Sequence, residues 1–350
     1  MVDPEIIVFN LKRRYTGVSA TVNALVPIQA AEWRLAYCGP TQPHGIRPIT
    51  LRQAISVSRR PPHDRRFRIW HLRRDHEMLI GILVRDLLRL PVRLVFTSAA
   101  QRRHGWFPRW LISQMDAVIA TTPKAASYVP NTRSVVPHGV DSDRFPPPVD
   151  KATAWLDAGL GGDFGIGVFG RVRQEKGTDV YVEALLIALP QLPKIRAVIA
   201  GLTQSKDRDF LQNLKNKIAS AGLTDRILFL GEIPAAEVHL WYQRCLLCVA
   251  CPRYEAFGLT PFEAASAGCA LVCSRAGAFQ ELVEPGVSGE LVEIGDVQGL
   301  ADAILKIMSD PMSAVEMGKA ARQKVVTDFT LRREAQGIGQ VYQQLFDAAV

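Results

Sequence analysis

The sequence contains no uninterrupted apolar run of 18 residues, so no membrane-spanning helix is expected. Its first residues also lack the order of a secretory leader: Asp3 and Glu5 precede a short apolar run, residues 6–9, which stops at Asn10. Both absences point to the cytoplasm. No internal repeat or heptad array is present, which excludes solenoids and long coiled coils. Cysteine is sparse, six in 350 residues, and is not placed for metal. Cys245, Cys248 and Cys251 fall within CLLCVAC, which reads as a buried strand, and Cys269 and Cys273 flank a second apolar run. Buried reduced thiols are expected there, not a metal cluster. Asp141 and Asp143 have no third ligand beside them and read as turn stabilisers.

Acidic residues are scarce in one half only. Residues 1–150 carry 22 Lys and Arg against 11 Asp and Glu, while the remainder carries 20 against 23, within an overall charge of +8. A surplus confined to one half marks a surface that meets something anionic: nucleic acid, an anionic lipid surface or a phosphorylated acceptor. The basic residues gather at Lys12, Arg13 and Arg14, between Arg59 and Arg74, and at Arg102 and Arg103. Trp106, Phe107 and Trp110 stand beside Arg109, a combination suited to a membrane edge or to inward packing.

With 48% hydrophobic residues in a chain of 350, two cores can be buried. Apolar strand candidates at residues 6–9, 34–38, 92–97 and 116–120, and again at 166–169, 195–200, 226–230 and 245–250, alternate with helical periodicity. Helices are expected over 18–25, 77–90, 123–129, 178–189, 207–221, 297–307 and 330–346. This alternation predicts an α/β protein with parallel sheets. Pro146, Pro147 and Pro148, then Gly159, Gly161 and Gly162, interrupt it. The expected division is a first domain at 1–145, a linker at 146–162, a second domain at 163–328 and a final helix at 329–350.

The chemistry concentrates in RYEAFGLTPFEAASAG, residues 253–268. Glu255 and Glu263 bracket seven residues that include Phe257, Gly258 and Leu259. Thr260 as N-cap, Pro261 at the first helical position and Glu263 at the third predict a capped helix start, where unpaired backbone N–H groups can hold an anion. Taken alone, Glu263 has a plain reading as the capping carboxylate. Upstream, Gly170 follows a strand, and Arg171 and Lys176 put positive charge before a helix. Gly17 permits a close turn after the first strand. Arg73 and Arg74 stand where another strand ends, the usual place for ligands in an open α/β sheet.

The paired glutamates, with the Gly170 to Lys176 segment, resemble the retaining, nucleotide-sugar-dependent glycosyltransferases of family 4. That resemblance implies the GT-B fold: two Rossmann-like domains with a cleft between them, and a C-terminal helix returning to the first domain. It implies that Glu255 orients donor sugar hydroxyls and Glu263 the donor ribose. Arg171 and Lys176 then neutralise the leaving diphosphate, and backbone groups from Phe257 through Gly258 and Leu259 to Thr260 hold sugar or phosphate.

 A glycine loop after the first strand lies near the donor phosphates in such enzymes, which is Gly17's position, and the turn holding Glu232 and Ile233 is placed like their base-binding loop. No metal ion and no cofactor beyond the nucleotide-sugar donor is implied.

Many relatives carry a histidine at the end of the strand that here closes on Thr97, Ser98 and Ala99. His104 is the nearby candidate for that role or for an acceptor contact, alongside Arg73, Arg74, Arg102 and Arg103. The segment ending in His138 and Gly139 matches the end of the first domain, where relatives often have asparagine in place of His138. The basic first half and QRRHGWFPRW look most like lipopolysaccharide-core mannosyltransferases of Gram-negative bacteria. That narrower likeness implies GDP-mannose as donor, an anionic glycolipid of the Kdo-lipid A type as acceptor, and peripheral contact with the inner face of the cytoplasmic membrane. The alternatives are a UDP-glucose- or UDP-galactose-dependent enzyme on another glycolipid, an epimerase of GT-B fold, and a non-catalytic GT-B scaffold. Nucleic acid as partner would explain the basic half but not the glutamate pair.

Overall fold

The computed structural model describes residues 3–13, 17–40 and 45–348. Arg14, counted above with Lys12 and Arg13, lies outside them. The first half runs β1 (Ile6–Phe9), α1 (Gly17–Glu32), β2 (Leu35–Cys38), α2 (Leu51–Val57), β3 (Arg68–Leu72), α3 (Asp75–Ile82), β4 (Val92–Ser98), α4 (Trp106–Ser113), β5 (Ala117–Ala120), α5 (Pro123–Ala126) and β6 (Thr132–Val135). Then follow α6 (Lys151–Leu156), β7 (Phe164–Phe169), α7 (Thr178–Ala188), β8 (Ile195–Ala200), α8 (Arg208–Ser220), β9 (Ile227–Gly231), α9 (Val238–Arg244) and β10 (Cys245–Ala250). The chain finishes with α10 (Thr260–Ser266), β11 (Ala270–Ser274), α11 (Phe279–Leu282), β12 (Gly289–Val292), α12 (Val297–Met308), α13 (Pro311–Asp328) and α14 (Leu331–Asp347).

Two compact units result, residues 1–139 with 330–350 and residues 140–329. In the first, among the described residues, six parallel strands are ordered β2-β1-β3-β4-β5-β6. Successive side chains of a strand face opposite ways, and here both faces are covered. Ile6 and Val8 pack with Ile338, Val341 and Tyr342 of α14, whereas Ile7 and Phe9 pack with Met78 and Leu111 on the other side. The final helix therefore belongs to the first unit, where it also lies against α1. Thr330 caps it by accepting from Arg333 N at 3.2 Å.

The second unit has the order β12-β11-β10-β7-β8-β9, again all parallel among the described residues. Leu247 and Val249 of β10 enter one core layer, and Cys248 and Ala250 the other. Both units are Rossmann-like, as expected. All six cysteines are buried and free, and burial pushes the Cys38 and Cys251 thiols up to about 12.

Several expectations need correction. The segment 146–162, read as a linker, carries α6, whose Trp155 is fully buried and donates to Gly161 O at 2.9 Å. Lys151, on the same helix, is buried with its ammonium on the carbonyls of Tyr242 and Cys245, at 2.9 and 2.8 Å. The unit boundary falls at 139/140, before the proline run. The helix expected over 77–90 ends at Ile82 and passes into one π-helical turn, Leu83–Leu87.

Candidate functional site

In the second unit, the strand order reverses between β7 and β10, which lead away in opposite directions along the sheet. Ligands of open α/β sheets bind beyond the carboxyl ends of strands at such a reversal. The loops leaving these two strands carry Gly170, Arg171 and Lys176 on one side and Glu255 and Gly258 on the other, and together with Thr260 they line one recess. Sequence positions 79 residues apart thus meet: Lys176 Nζ stands 2.5 Å from Glu255 Oε2. Arg171 is exposed on the same recess and makes no ion pair among the described residues.

The two loops are braced together. Arg253 holds Asp179, at the start of α7, through two bonds of 2.7 and 2.9 Å, and donates to Gln174 O at 2.6 Å. Gly177, at φ +72°, turns the chain from Lys176 into α7 where a Cβ would fall 1.9 Å from Cys251 O. Only a residue without a side chain lets the loops approach this closely. Gly258, at φ +87°, is packed likewise against Phe279, whose ring would lie 2.4 Å from a Cβ. Phe257 is buried and stacks on Phe262, with ring centroids 5.0 Å apart.

The expected capping box does not form. α10 begins at Thr260 with Leu259 as its N-cap, and no side chain caps it. Glu263 instead accepts from the Tyr242 hydroxyl at 2.9 Å, a partner 21 residues upstream. Burial raises the Glu263 carboxyl above its ordinary range, and the Tyr242 bond opposes that shift. With seven residues, α10 is too short for a strong macrodipole, so the side chains carry most of the local positive charge. Glu232 and Ile233 lie at the carboxyl end of edge strand β9, outside the recess lining.

In the first unit, the strand order reverses between β1 and β3. Arg73 and Arg74 follow β3, and they line a cavity of about 380 Å³ with Thr97, Ser98, His104 and His138 among others. The structure therefore brings His104 to the cavity at the end of β4, beside Thr97 and Ser98. Burial lowers the His104 imidazole's affinity for a proton. His138 is held through Nδ1 by Glu334 Oε1 at 2.8 Å, and the other Glu334 oxygen accepts from Gly139 N at 2.8 Å. Arg74 donates to Asn10 Oδ1 at 2.6 Å and pairs with Glu77 at 3.3 Å. Arg102 and Arg103 are exposed outside the cavity lining, and Gly17 is exposed at the start of α1, where a Cβ would meet nothing within 4 Å. Gly17 is therefore not demanded by local packing.

The sequence offered no sign of Tyr242 beside Glu263, nor of Glu334 behind His138, since both pairs form through tertiary packing. No three His, Cys, Asp or Glu side chains gather as metal ligands among the described residues. No helix among them is long and apolar enough to cross a membrane.

A family model described as "Glycosyl transferases group 1" matches residues 161–324. The lipopolysaccharide core biosynthesis mannosyltransferase LpcC of Rhizobium leguminosarum bv. viciae is 44% identical over 344 residues, covering 98% of this chain and 97% of that protein. The corresponding enzyme LpsB of Rhizobium meliloti (strain 1021) is 40% identical over 347 residues, covering 98% of each. Among solved structures, Anabaena Alr3699/HepE in complex with UDP has a TM-score of 0.83 at 19% identity, over 97% of this chain and 100% of that one, a likeness of fold.

Proposed function

The chain belongs to the group 1 glycosyltransferases, and from that premise we propose that it transfers mannose from GDP-mannose to a hydroxyl of a lipopolysaccharide inner core of the Kdo-lipid A type, with retention of configuration. The observation that carries this reading is the 44% identity across nearly the whole of a lipopolysaccharide-core mannosyltransferase. The meeting of Lys176 with Glu255 supplies its chemistry.

In this reading Glu255 positions hydroxyls of the donor sugar, and Glu263 and the Tyr242 hydroxyl sit at the ribose. Backbone groups of Phe257, Gly258, Leu259 and Thr260 hold the sugar or diphosphate. Glu232 and Ile233 touch the nucleobase, and Gly17 lies near the donor phosphates. As the bond between the anomeric carbon and the β-phosphate oxygen breaks, negative charge grows on the departing diphosphate. Lys176, held by Glu255, and the exposed Arg171 stabilise that charge as cations at the recess. The acceptor oxygen attacks from the face that the diphosphate leaves, and its proton passes to a phosphate oxygen. Atoms and charge then balance without a covalent glycosyl-enzyme. Arg73, Arg74, Arg102, Arg103 and His104 are the acceptor-side residues. A lipid acceptor puts the enzyme at the inner face of the cytoplasmic membrane, and Trp106, 80% exposed and in ring contact with Phe107, suits such an edge.

Product mass spectrometry on purified Kdo-lipid A tests the reading, with GDP-mannose, UDP-glucose and UDP-galactose supplied separately. A hexose-sized addition from GDP-mannose alone is expected. Addition from a UDP-sugar would overturn the donor, and no addition from any donor would overturn the acceptor.

A further inference from the structure

Within the first unit's cavity, Arg73 is in an unusual electrostatic position. It is 7% exposed, yet its Nε and Nη2 find no hydrogen-bond partner among the described residues. The neighbouring carboxylates are already engaged. Glu77 accepts from the backbone N–H groups of Leu11 and Arg73, at 2.9 and 2.8 Å, and pairs with Arg74. Glu334 is divided between His138 and Gly139. A buried guanidinium without a contacting anion is unfavourable, and such an unsatisfied group calls for an explanation, of which an anion that binds there is one. Two residues of the same lining, Ser98 and His104, also carry a buried polar atom without a partner among the described residues, Oγ and Nε2.

A planar guanidinium matches a carboxylate or phosphate through paired N–H donors. A hydroxyl and a neutral imidazole N–H add donors of the kind a second oxygen accepts. We propose that this cavity seats an oxyanion of the acceptor, the carboxylate of a sugar acid or a phosphate monoester, with Arg73 as its anchor and Ser98 and His104 as supporting donors. The proposal rests on the glycosyl-transfer reading for the identity of the anion's carrier. The position at the strand-order reversal between β1 and β3 agrees with where such sheets bind ligands.

The test uses the full chain and three probes: the methyl glycoside of Kdo, its neutral methyl ester, and inorganic phosphate. Binding is followed by NMR of the histidine rings, with His104→Asn identifying the His104 signal. The free acid or phosphate should bind at least tenfold tighter than the ester, and Arg73→Gln should lose that preference. Arg73→Lys, which keeps the charge without the fork, should retain part of it and carries the test if Arg73→Gln does not fold. Tighter binding of the sugar acid assigns the carboxylate, and tighter binding of phosphate assigns the monoester. In transfer assays Arg73→Gln should raise the acceptor KM at least tenfold and leave the donor KM unchanged. Equal binding of acid, phosphate and ester, or an affinity indifferent to Arg73, would overturn the anchor even if wild-type transfer is confirmed. Arg73-dependent anion binding without transfer to Kdo-lipid A would support the anchor and remove the assigned acceptor instead.

Discussion

Replacing Lys176 by Met keeps the aliphatic stem and removes the charge, which separates two roles of its pair with Glu255. As a structural ion pair it is worth little. Both side chains keep contact with water, at 29% and 21% exposure, and such a pair contributes about 0.2–1 kcal/mol after solvent screening. Glu255 would retain a partner, because Ala256 N donates to its Oε1 at 3.1 Å. In a unit of this size about 1 kcal/mol moves the melting temperature by roughly 2–4 °C. As a cation facing a departing diphosphate, the same group should act like an oxyanion-hole donor, worth about 2.7–4 kcal/mol or roughly 10²–10³ in kcat. The catalytic effect therefore exceeds the structural one. Steady-state rates at saturating acceptor, read beside a thermal melt, should show kcat reduced at least about 100-fold with melting lowered by no more than about 4 °C. Lys176→Arg should recover much of the rate. A Lys176→Met enzyme with kcat within about threefold of wild type would refute leaving-group stabilisation by this residue, whatever its melting temperature.

Two other perturbations address the same recess. Gly177→Ala places a methyl group 1.9 Å from Cys251 O in a left-handed conformation that itself costs about 1–2 kcal/mol. Melting should fall by more than for Lys176→Met and donor affinity should weaken, so unchanged values of both would show that the two loops do not need this contact. The second concerns pH. Burial raises the folded-state pKa of Glu263 above its unfolded value of about 4.3. Its favourable contribution is thus complete below that unfolded value and is lost as pH rises through the raised folded pKa. Glu263→Gln removes this loss, so its melting temperature relative to wild type should climb as pH rises from the unfolded value through the raised folded pKa, while donor KM rises. A melting difference independent of pH would count against the raised carboxyl.

What the sequence revealed was set by how local each signal was. Continuous apolar runs such as Ile6–Phe9 and Cys245–Ala250 read directly as buried parallel strands, because both of their faces are covered. The last helix was legible from Thr330 and the periodic run behind it. α13 was not: it buries small residues, Ala314, Gly318 and Ala321, so its apolar stripe has little contrast with its exposed face. α6 was hidden because Lys151 reads as solvent-facing, whereas carbonyls from another part of the unit satisfy its ammonium. Thr260 and Glu263 had the local pattern of a capping box, but the Tyr242 hydroxyl competed for the carboxylate. The glutamate pair and the Arg171–Lys176 region marked a site by resemblance, while the contact of Lys176 with Glu255 needed the fold.

The two units use their strand-order reversals differently. In the second, two of the cations near the recess are paired, Lys176 with Glu255 and Arg253 with Asp179, while Arg171 makes no ion pair among the described residues. Such pairing fixes loop geometry, and it leaves partly exposed charges that water can solvate whenever a ligand exchanges the pairings. In the first, Arg74 is matched to Glu77, but Arg73 is more deeply buried and its nearest carboxylates are committed elsewhere. Burial disfavours the charged guanidinium, and Glu334 and Glu77 offset this only at longer range. Removing the Arg73 charge should therefore lower acceptor affinity while leaving the melting temperature equal or higher, since the substitution also removes an unfavourable buried charge. A residue kept only for packing would shift both in the same direction. Opposite signs in the two measurements on Arg73→Gln distinguish a binding group from a structural one.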